Sequence, residues 1–200
     1  SVAIDNGFRT DTSMERLAGL KPVFDRDNGT VTAGNSSQVT DGACALLLTS
    51  REFAEAEGLK VLGTVQDFAF GGLDPSRMGL GPVFSTTRLF EKHKMGWQDL
   101  DLVELNEAFA AQAIACVRAF DSKTFYDKEL PGSSPPGPPD WDKVNVNGGA
   151  VALGHPVGAT GARIVLTLLN ELTRRGGGRG LATLCVGGGQ GATVLVEAAA

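Results

Sequence analysis

Two side chains in the last third of this chain could move protons at neutral pH, and both sit among glycines. His155 lies in Gly154-His155-Pro156, between an apolar run and a helical pattern. Cys185 lies near the end of the apolar run Leu181 to Val186, just before Gly187-Gly188-Gly189-Gln190-Gly191. Imidazole has an ordinary pKa close to neutrality. A thiol is an acid and, once ionised, a soft nucleophile. Missing side chains beside them let a ligand approach the backbone, whose N–H groups can then meet a developing oxyanion. Asn106, at a strand-to-helix junction, adds an amide. Taken singly, each has a plain structural use: a buried thiol, a structural imidazole, a helix N-cap, a tight turn between strands.

The glycine turn nominally fits a dinucleotide pattern, Gly187-x-Gly189-x-x-Ala192. Thr193-Val194-Leu195-Val196 continues as a strand, so no helix N-terminus follows to receive a phosphate. His93, Cys44 and Cys116 read as a surface-helix residue, a buried-strand residue and a core-helix residue. Arg174, Arg175 and Arg179 complement the C-terminal end of the preceding helix.

The elements that must position these groups follow from periodicity and punctuation. Met14, Leu17 and Leu20 have helical spacing, and Pro22 ends that segment. Thr30 to Asn35 is punctuated by glycine, with Ser36-Ser37 as a helix cap. Ala43 to Thr49 is a continuous apolar run suited to a buried strand. Ser50 to Gly58 reads as a short helix with Ser50 as N-cap and Gly58 as its stop. Lys60 to Phe70 predicts a strand, Gly71 to Pro82 a loop, Ser85 to Lys94 a helix and Leu100 to Leu105 a short strand. Asn106 to Phe120 predicts a helix whose Phe109, Ala113, Cys116, Val117 and Phe120 face a core.

Asp121 to Asp142 breaks the pattern. Its run Ser133-Ser134-Pro135-Pro136-Gly137-Pro138-Pro139 predicts an exposed, extended loop. Val144 to Leu153 predicts a strand, and Ala159 to Arg175 a helix burying Ile164, Val165, Leu168, Leu169 and Leu172. Leu181 to Val186 and Ala192 to Glu197 close the chain as strands. This alternation predicts an α/β fold, a mixed sheet with helices on both faces.

Two hundred residues suffice for one large domain, or a domain plus part of another. A net charge of −5 argues against nucleic acid as main partner, because phosphate binding relies on clustered Lys and Arg. No apolar run approaches a membrane span, and Ser1 to Thr10 lack the basic and apolar regions of a signal peptide. Three cysteines, widely spaced, and two histidines fit neither a disulfide framework nor a zinc site. A reducing cytoplasm is the expected compartment, with no metal.

Jointly the motifs say more. Gly29-Thr30-Val31-Thr32-Ala33-Gly34-Asn35 with Asp41-Gly42-Ala43, then Asn106-Glu107-Ala108-Phe109-Ala110-Ala111-Gln112, then Gly148-Gly149-Ala150 to Gly161, then Cys185 to Gly191, occur in this order. In that order they resemble the C-terminal half of the thiolase family. The resemblance runs along the chain except for the Pro-rich loop and the first few residues. It implies the thiolase fold with a mixed five-stranded sheet. Residues 1–42 would be part of a coenzyme A-binding loop region and the end of an N-terminal thiolase domain. Residues 43–200 would be the C-terminal domain, with the Pro-rich insertion at 121–142.

The resemblance also implies roles. Cys185 would exchange a proton with the acetyl methyl carbon, and His155 would activate a nucleophilic cysteine and face a thioester oxygen. Asn106 would hold a water in the same oxyanion hole, and Gly187 would give a backbone N–H to the other. Such chemistry needs a thiolate-grade base, fixed dipoles and a two-step covalent path. Ser37 would touch pantetheine, Arg9 and Phe24 the nucleotide part, and Phe109 and Met78 the pantetheine and acyl pockets. Coenzyme A and its acyl thioesters would be substrates, with no permanently bound cofactor.

The acylated cysteine belongs to the family's N-terminal half, and neither Cys44 nor Cys116 has a matching context. Either a second polypeptide therefore supplies that cysteine, as in a split two-subunit enzyme, or the chain is one piece of a cleaved precursor. A complementary half-chain in a dimer-type assembly is the expected partner, for thiolytic cleavage of 3-ketoacyl-CoA or the reverse Claisen condensation. The loop at 121–142 is longer than in short-chain acetoacetyl-type thiolases and resembles the fatty-acid-oxidation branch. That branch often begins the Asn106 motif with histidine. The competing reading is a non-catalytic thiolase-like protein that binds acyl-CoA or lipid.

Overall fold

Four strands make one sheet, and three of them send alternate side chains to two separate apolar layers. In the computed structural model, which describes Ala3 and residues 7–199, the strands are β1 (Thr64–Gly72), β2 (Leu102–Leu105), β3 (Gly178–Val186) and β4 (Gln190–Ala198), in spatial order β1-β4-β3-β2. Both pairings of β4 are antiparallel, while β2 and β3 run parallel. The helices are α1 (Met14–Ala18), α2 (Arg51–Ala56), α3 (Gly81–His93), α4 (Ala110–Phe120), α5 (Lys123–Glu129), α6 (Ala150–Leu153) and α7 (Val157–Arg174).

Leu181 and Leu195 join Val103 and Leu105 in a core shared with α3 and α4, whereas their neighbours Ala182 and Val196 join Leu102 in a core shared with α7. Helices therefore cover both faces, because the two-residue strand period needs an apolar partner on each side. On the α3 side, four buried hydroxyls meet. Thr193 Oγ1 lies 2.7 Å from Ser85, 3.0 Å from Thr86 and 2.8 Å from Thr183. One donor and two lone pairs on Thr193 match those three partners.

The expected fifth strand is absent among the described residues, so the sheet has four strands. Ala43 to Thr49 carries no regular structure, and Leu47 and Leu48 are 77% and 72% exposed. An apolar run becomes a strand only where an unpaired edge meets it. Val144 to Leu153 is not a strand either. It makes one bridge, Val103 to Val144, and then turns at Asn145 (φ 48°) and Gly148 (φ 90°) before entering α6. The Asn145 side chain takes the place of a neighbouring strand, accepting from Leu105 N (2.9 Å) and donating to Leu105 O (2.8 Å).

Four smaller expectations also change. Ser36 does not cap a helix; it bridges to Phe109. The helix expected from Asn106 begins at Ala110, with Phe109 in the N-cap position. The stretch 121–142 is not a free loop. It contains α5, whose fully buried Tyr126 shares a 2.7 Å hydrogen bond with Thr87. Its proline run is fastened where Trp97 Nε1 donates to Gly137 O (2.7 Å) and Gly137 N donates to Phe120 O (3.1 Å). Of the three arginines expected at the end of α7, Arg174 and Arg175 pair instead with Glu171, and Arg179 lies beside Glu197. The reading of Ser1 to Thr10 falls partly outside the described residues.

Candidate active site

The parallel pair β2–β3 aligns two chain ends at one sheet edge. Leu105 pairs with Thr183, and Asn106 N donates to Thr183 O at 2.9 Å, extending the ladder by one residue. Asn106 thus stands beside Leu184, and Cys185 is the next residue along β3. Open α/β sheets place ligands outside the carboxyl ends of their strands, and this is such an edge.

His155 reaches the edge from the linker between α6 and α7. Gly154, at φ +91°, turns the chain there. A Cβ on Gly154 would lie 2.6 Å from Thr40 Cγ2, so only glycine fits. His155 N donates to Gln38 O at 3.2 Å. The ring is held at both nitrogens: Nε2 lies 3.4 Å from Asn106 Nδ2, and Nδ1 lies 2.7 Å from Thr160 Oγ1. Burial, and next the charge of Arg163, lower the His155 pKa, which favours neutral imidazole. Asn106 is 2% exposed, and its amide oxygen is buried without a hydrogen-bond partner among the described residues.

Cys185 approaches from the other side. Alternation along β3 puts Leu181, Thr183 and Cys185 toward α3 and α4, while Asn106 continues the α7-facing set Leu102 and Glu104. Cys185 is 9% exposed, and burial raises its thiol pKa, so it rests protonated at neutral pH. Among the described residues no hydrogen bond joins it to His155 or Asn106. Beyond it the chain reverses, with Gly188 and Gly189 at φ +88° and +84°. A Cβ on Gly187 would meet nothing within 4 Å, so its backbone is open to approach.

The expected coenzyme A contacts divide. Ser37 donates through both Oγ (2.9 Å) and N (3.0 Å) to Ala108 O. Phe24 packs edge-on against Phe109, centroids 5.7 Å apart. These three therefore cluster on the segment that also carries Asn106. Met78 is half-buried in the 3-10 helix Pro75–Leu80, next to Gly79, whose carbonyl accepts from the Cys116 thiol at 3.1 Å. Arg9 is exposed, and among the described residues no hydrogen bond or ion pair ties its side chain to this cluster.

Several neighbours carried no sequence signal of their own. Thr160, fully buried in the first turn of α7, holds the His155 ring. Glu104, 4% exposed, has its pKa pushed up to about 7 by burial, against the opposing charge of Arg163. Cys116 is raised to about 12, chiefly by burial, with Cys185 near enough to contribute. An open cleft of about 360 Å³ lies between Thr40–Cys44 and Pro156–Ala159, directly after His155. Among the described residues no helix is long and apolar enough to cross a membrane.

Residues 59–198 match the family described as Thiolase, C-terminal domain, and residues 1–52 match Thiolase, N-terminal domain. The acetyl-CoA acetyltransferase of Chromobacterium violaceum is 49% identical over 195 residues, which are 96% of this chain and 45% of that protein. The crystal structure of the Bacillus anthracis acetyl-CoA acetyltransferase superposes with a TM-score of 0.82 at 44% identity, covering 97% of this chain and 45% of that one. Human mitochondrial 3-ketoacyl-CoA thiolase, solved in complex with CoA, gives 0.79 at 37% identity, covering 100% of this chain and 46% of that one. The chain thus spans a little under half the length of the relatives it matches.

Proposed function

The chain belongs to the thiolase family, and from that premise we propose that it supplies the acid–base half of a thiolase site. The reaction is transfer of an acyl group to coenzyme A by cleavage of a 3-ketoacyl-CoA, or the reverse condensation. The observation that carries this reading is the contact between Asn106 and His155 at the edge where β3 carries Cys185, one residue before its end.

In the cleavage direction, His155 Nε2 takes the proton of a nucleophilic cysteine on a complementary chain. The resulting thiolate attacks the keto carbon, and the carbon–carbon bond breaks. Its electron pair becomes the enolate of acetyl-CoA, and Cys185 protonates the enolate carbon to a methyl group, itself becoming a thiolate. A second coenzyme A then gives its thiol proton to the Cys185 thiolate and attacks the acyl group on the nucleophile, which leaves as a thiolate and takes back the proton held on His155. A thiol whose pKa is raised by burial suits the donor role. Asn106 with His155, and separately the Gly187 N–H, are the dipoles offered to the two oxyanions.

Ser37, Phe109 and Met78 are proposed to line the pantetheine and acyl path, and Arg9 and Phe24 to meet the nucleotide part. Coenzyme A is substrate here, not a resident group. We keep residues 1–42 as part of the coenzyme A-binding loop region and the end of the N-terminal thiolase domain, and 43–200 as C-terminal domain, paired with the complementary half in a dimer-type assembly. Three unpaired thiols suit a reducing compartment such as the cytoplasm.

The test is a thiolysis assay on acetoacetyl-CoA and a longer 3-ketoacyl-CoA, with the complementary half supplied. Activity that disappears in Cys185→Ala supports the proposal. Unchanged activity in that variant, or acyl-CoA binding with no turnover in wild type, overturns it in favour of a non-catalytic binder.

A further inference from the structure

Thr160 is 0% exposed and sits one turn into α7, five residues after His155. Its hydroxyl has two partners. It donates to Pro156 O at 3.0 Å and lies 2.7 Å from His155 Nδ1. A hydroxyl carries a single hydrogen. With that hydrogen on Pro156 O, the imidazole faces an oxygen lone pair, and the ring proton belongs on Nδ1.

The other side of the ring agrees. Asn106 turns its Nδ2 toward Nε2 at 3.4 Å, so Nε2 is met by a donor and must offer its lone pair. The opposite arrangement, with the hydroxyl donating to Nδ1, would set an Nε2–H against that amide N–H. We propose that Thr160 is a positioning residue that fixes His155 as the Nδ1–H tautomer and aims its Nε2 lone pair at the sheet edge.

In many sites a carboxylate orients the histidine and also stabilises the imidazolium once the proton arrives. A buried neutral hydroxyl does only the first. It sets tautomer and ring angle without adding charge, so the imidazole stays neutral and passes its proton on readily. This inference rests on His155 being the proton acceptor of the proposed reaction, so its test reads the ring itself as well as the rate.

The experiment labels this chain alone with ¹⁵N-histidine, in the enzyme assembled with its complementary half. The chain has two histidines, and His93, held 2.6 Å from Asp67, serves as internal control. At pH 8 the His155 ring of wild type and of Thr160→Ser should show a protonated Nδ1 and a bare Nε2. Thr160→Val, which removes the hydroxyl at equal volume, should give a mixture of tautomers. It should also lower kcat by about 10- to 100-fold while KM changes less than threefold.

A protonated Nε2 in wild type overturns the proposal, and that readout stands even if Thr160→Val does not assemble. So does a Thr160→Val ring with wild-type tautomer, or a Thr160→Ser enzyme as impaired as Thr160→Val. Loss of thiolase activity in the wild-type assembly would sink the reaction assigned above, while the ring signals would still decide the tautomer.

Discussion

Glu104 sits inside the short apolar strand β2, on the face turned to α7, and lies buried. Its pKa of about 7 stands above the ordinary 4.5, so the folded chain holds a proton that the unfolded chain releases between those values. The stabilisation is full below about 4.5 and is lost as pH rises through about 7. That window corresponds to roughly 3 kcal/mol. Urea midpoints of wild type and Glu104→Gln in the assembled protein, taken from pH 5 to pH 8, should therefore diverge, wild type losing more of its stability toward pH 8. Parallel curves would show that Glu104 does not titrate there. At the catalytic level, Cys185→Ala should lower thiolysis by about 10²- to 10⁴-fold, the range for loss of a positioned proton donor, with assembly intact. A smaller loss would remove Cys185 from the proton path. Cys185, His155 and Asn106 stood out in the sequence because their types are chemically capable and glycines or strand ends flank them. Thr160 did not, because a threonine in the first turn of a helix reads as ordinary until a ring is seen 2.7 Å away. Glu104 did not, because a carboxylate inside a short apolar strand gives no hint of which face it takes.

Elements with their own periodicity were read correctly in type, and the errors fall where a neighbour decides the outcome. α7 shows its buried stripe in sequence, and β3 and β4 show the glycine turn between them. The run 144–153 looks like a strand by composition, but Asn145 closes the edge of β2 with its side chain and the chain turns away. The proline run could not be seen as a strap, because its anchors are a carbonyl and an N–H at Gly137 rather than any apolar signal. Glycine 191 was read as turn chemistry, and its stronger constraint is contact between elements. A Cβ there would stand 1.9 Å from Gly81 O, where the start of α3 lies against β4. Backbone cannot yield as a flexible side chain does, so Gly191→Ala must push α3 off the sheet. The expected cost is at least ~3 kcal/mol, read as a drop in Tm or as loss of soluble protein. Gly158→Ala, in open space on α7, is the control and should keep the wild-type Tm. Equal Tm values for Gly191→Ala and wild type would mean that the close approach does not exist in solution.

At the scale of the whole molecule, alternation announced a two-faced mixed sheet, yet the sheet has four strands because the apolar run Ala43 to Thr49 meets no sheet edge among the described residues. On the α7 side, β1 is uncovered. Phe68 and Phe70, their rings 5.7 Å apart, are 57% and 60% exposed. Val157 at the start of α7 is likewise exposed, as are Leu47 and Leu48 on a run that reads as a strand and has no ladder. An exposed pair of aromatic rings packed edge-on and an exposed apolar run without a ladder mark a covered interface more often than a solvent face. The complementary thiolase half of the proposed function is the cover that fits, since it would bring both a sheet edge for 43–49 and the missing nucleophile. The alternative is a chain content in water. Analytical ultracentrifugation separates the two. The chain alone should self-associate and bind a hydrophobic dye, and co-expression with the complementary half should give a defined assembly with that binding lost. Leu47→Asp together with Phe68→Asp should weaken pairing by at least about tenfold, because burying an unpaired carboxylate costs more than 1.4 kcal/mol. The fold of the chain itself should be unchanged in far-UV circular dichroism. A monodisperse, dye-silent monomer would refute the interface, and so would a double variant that pairs as tightly as wild type.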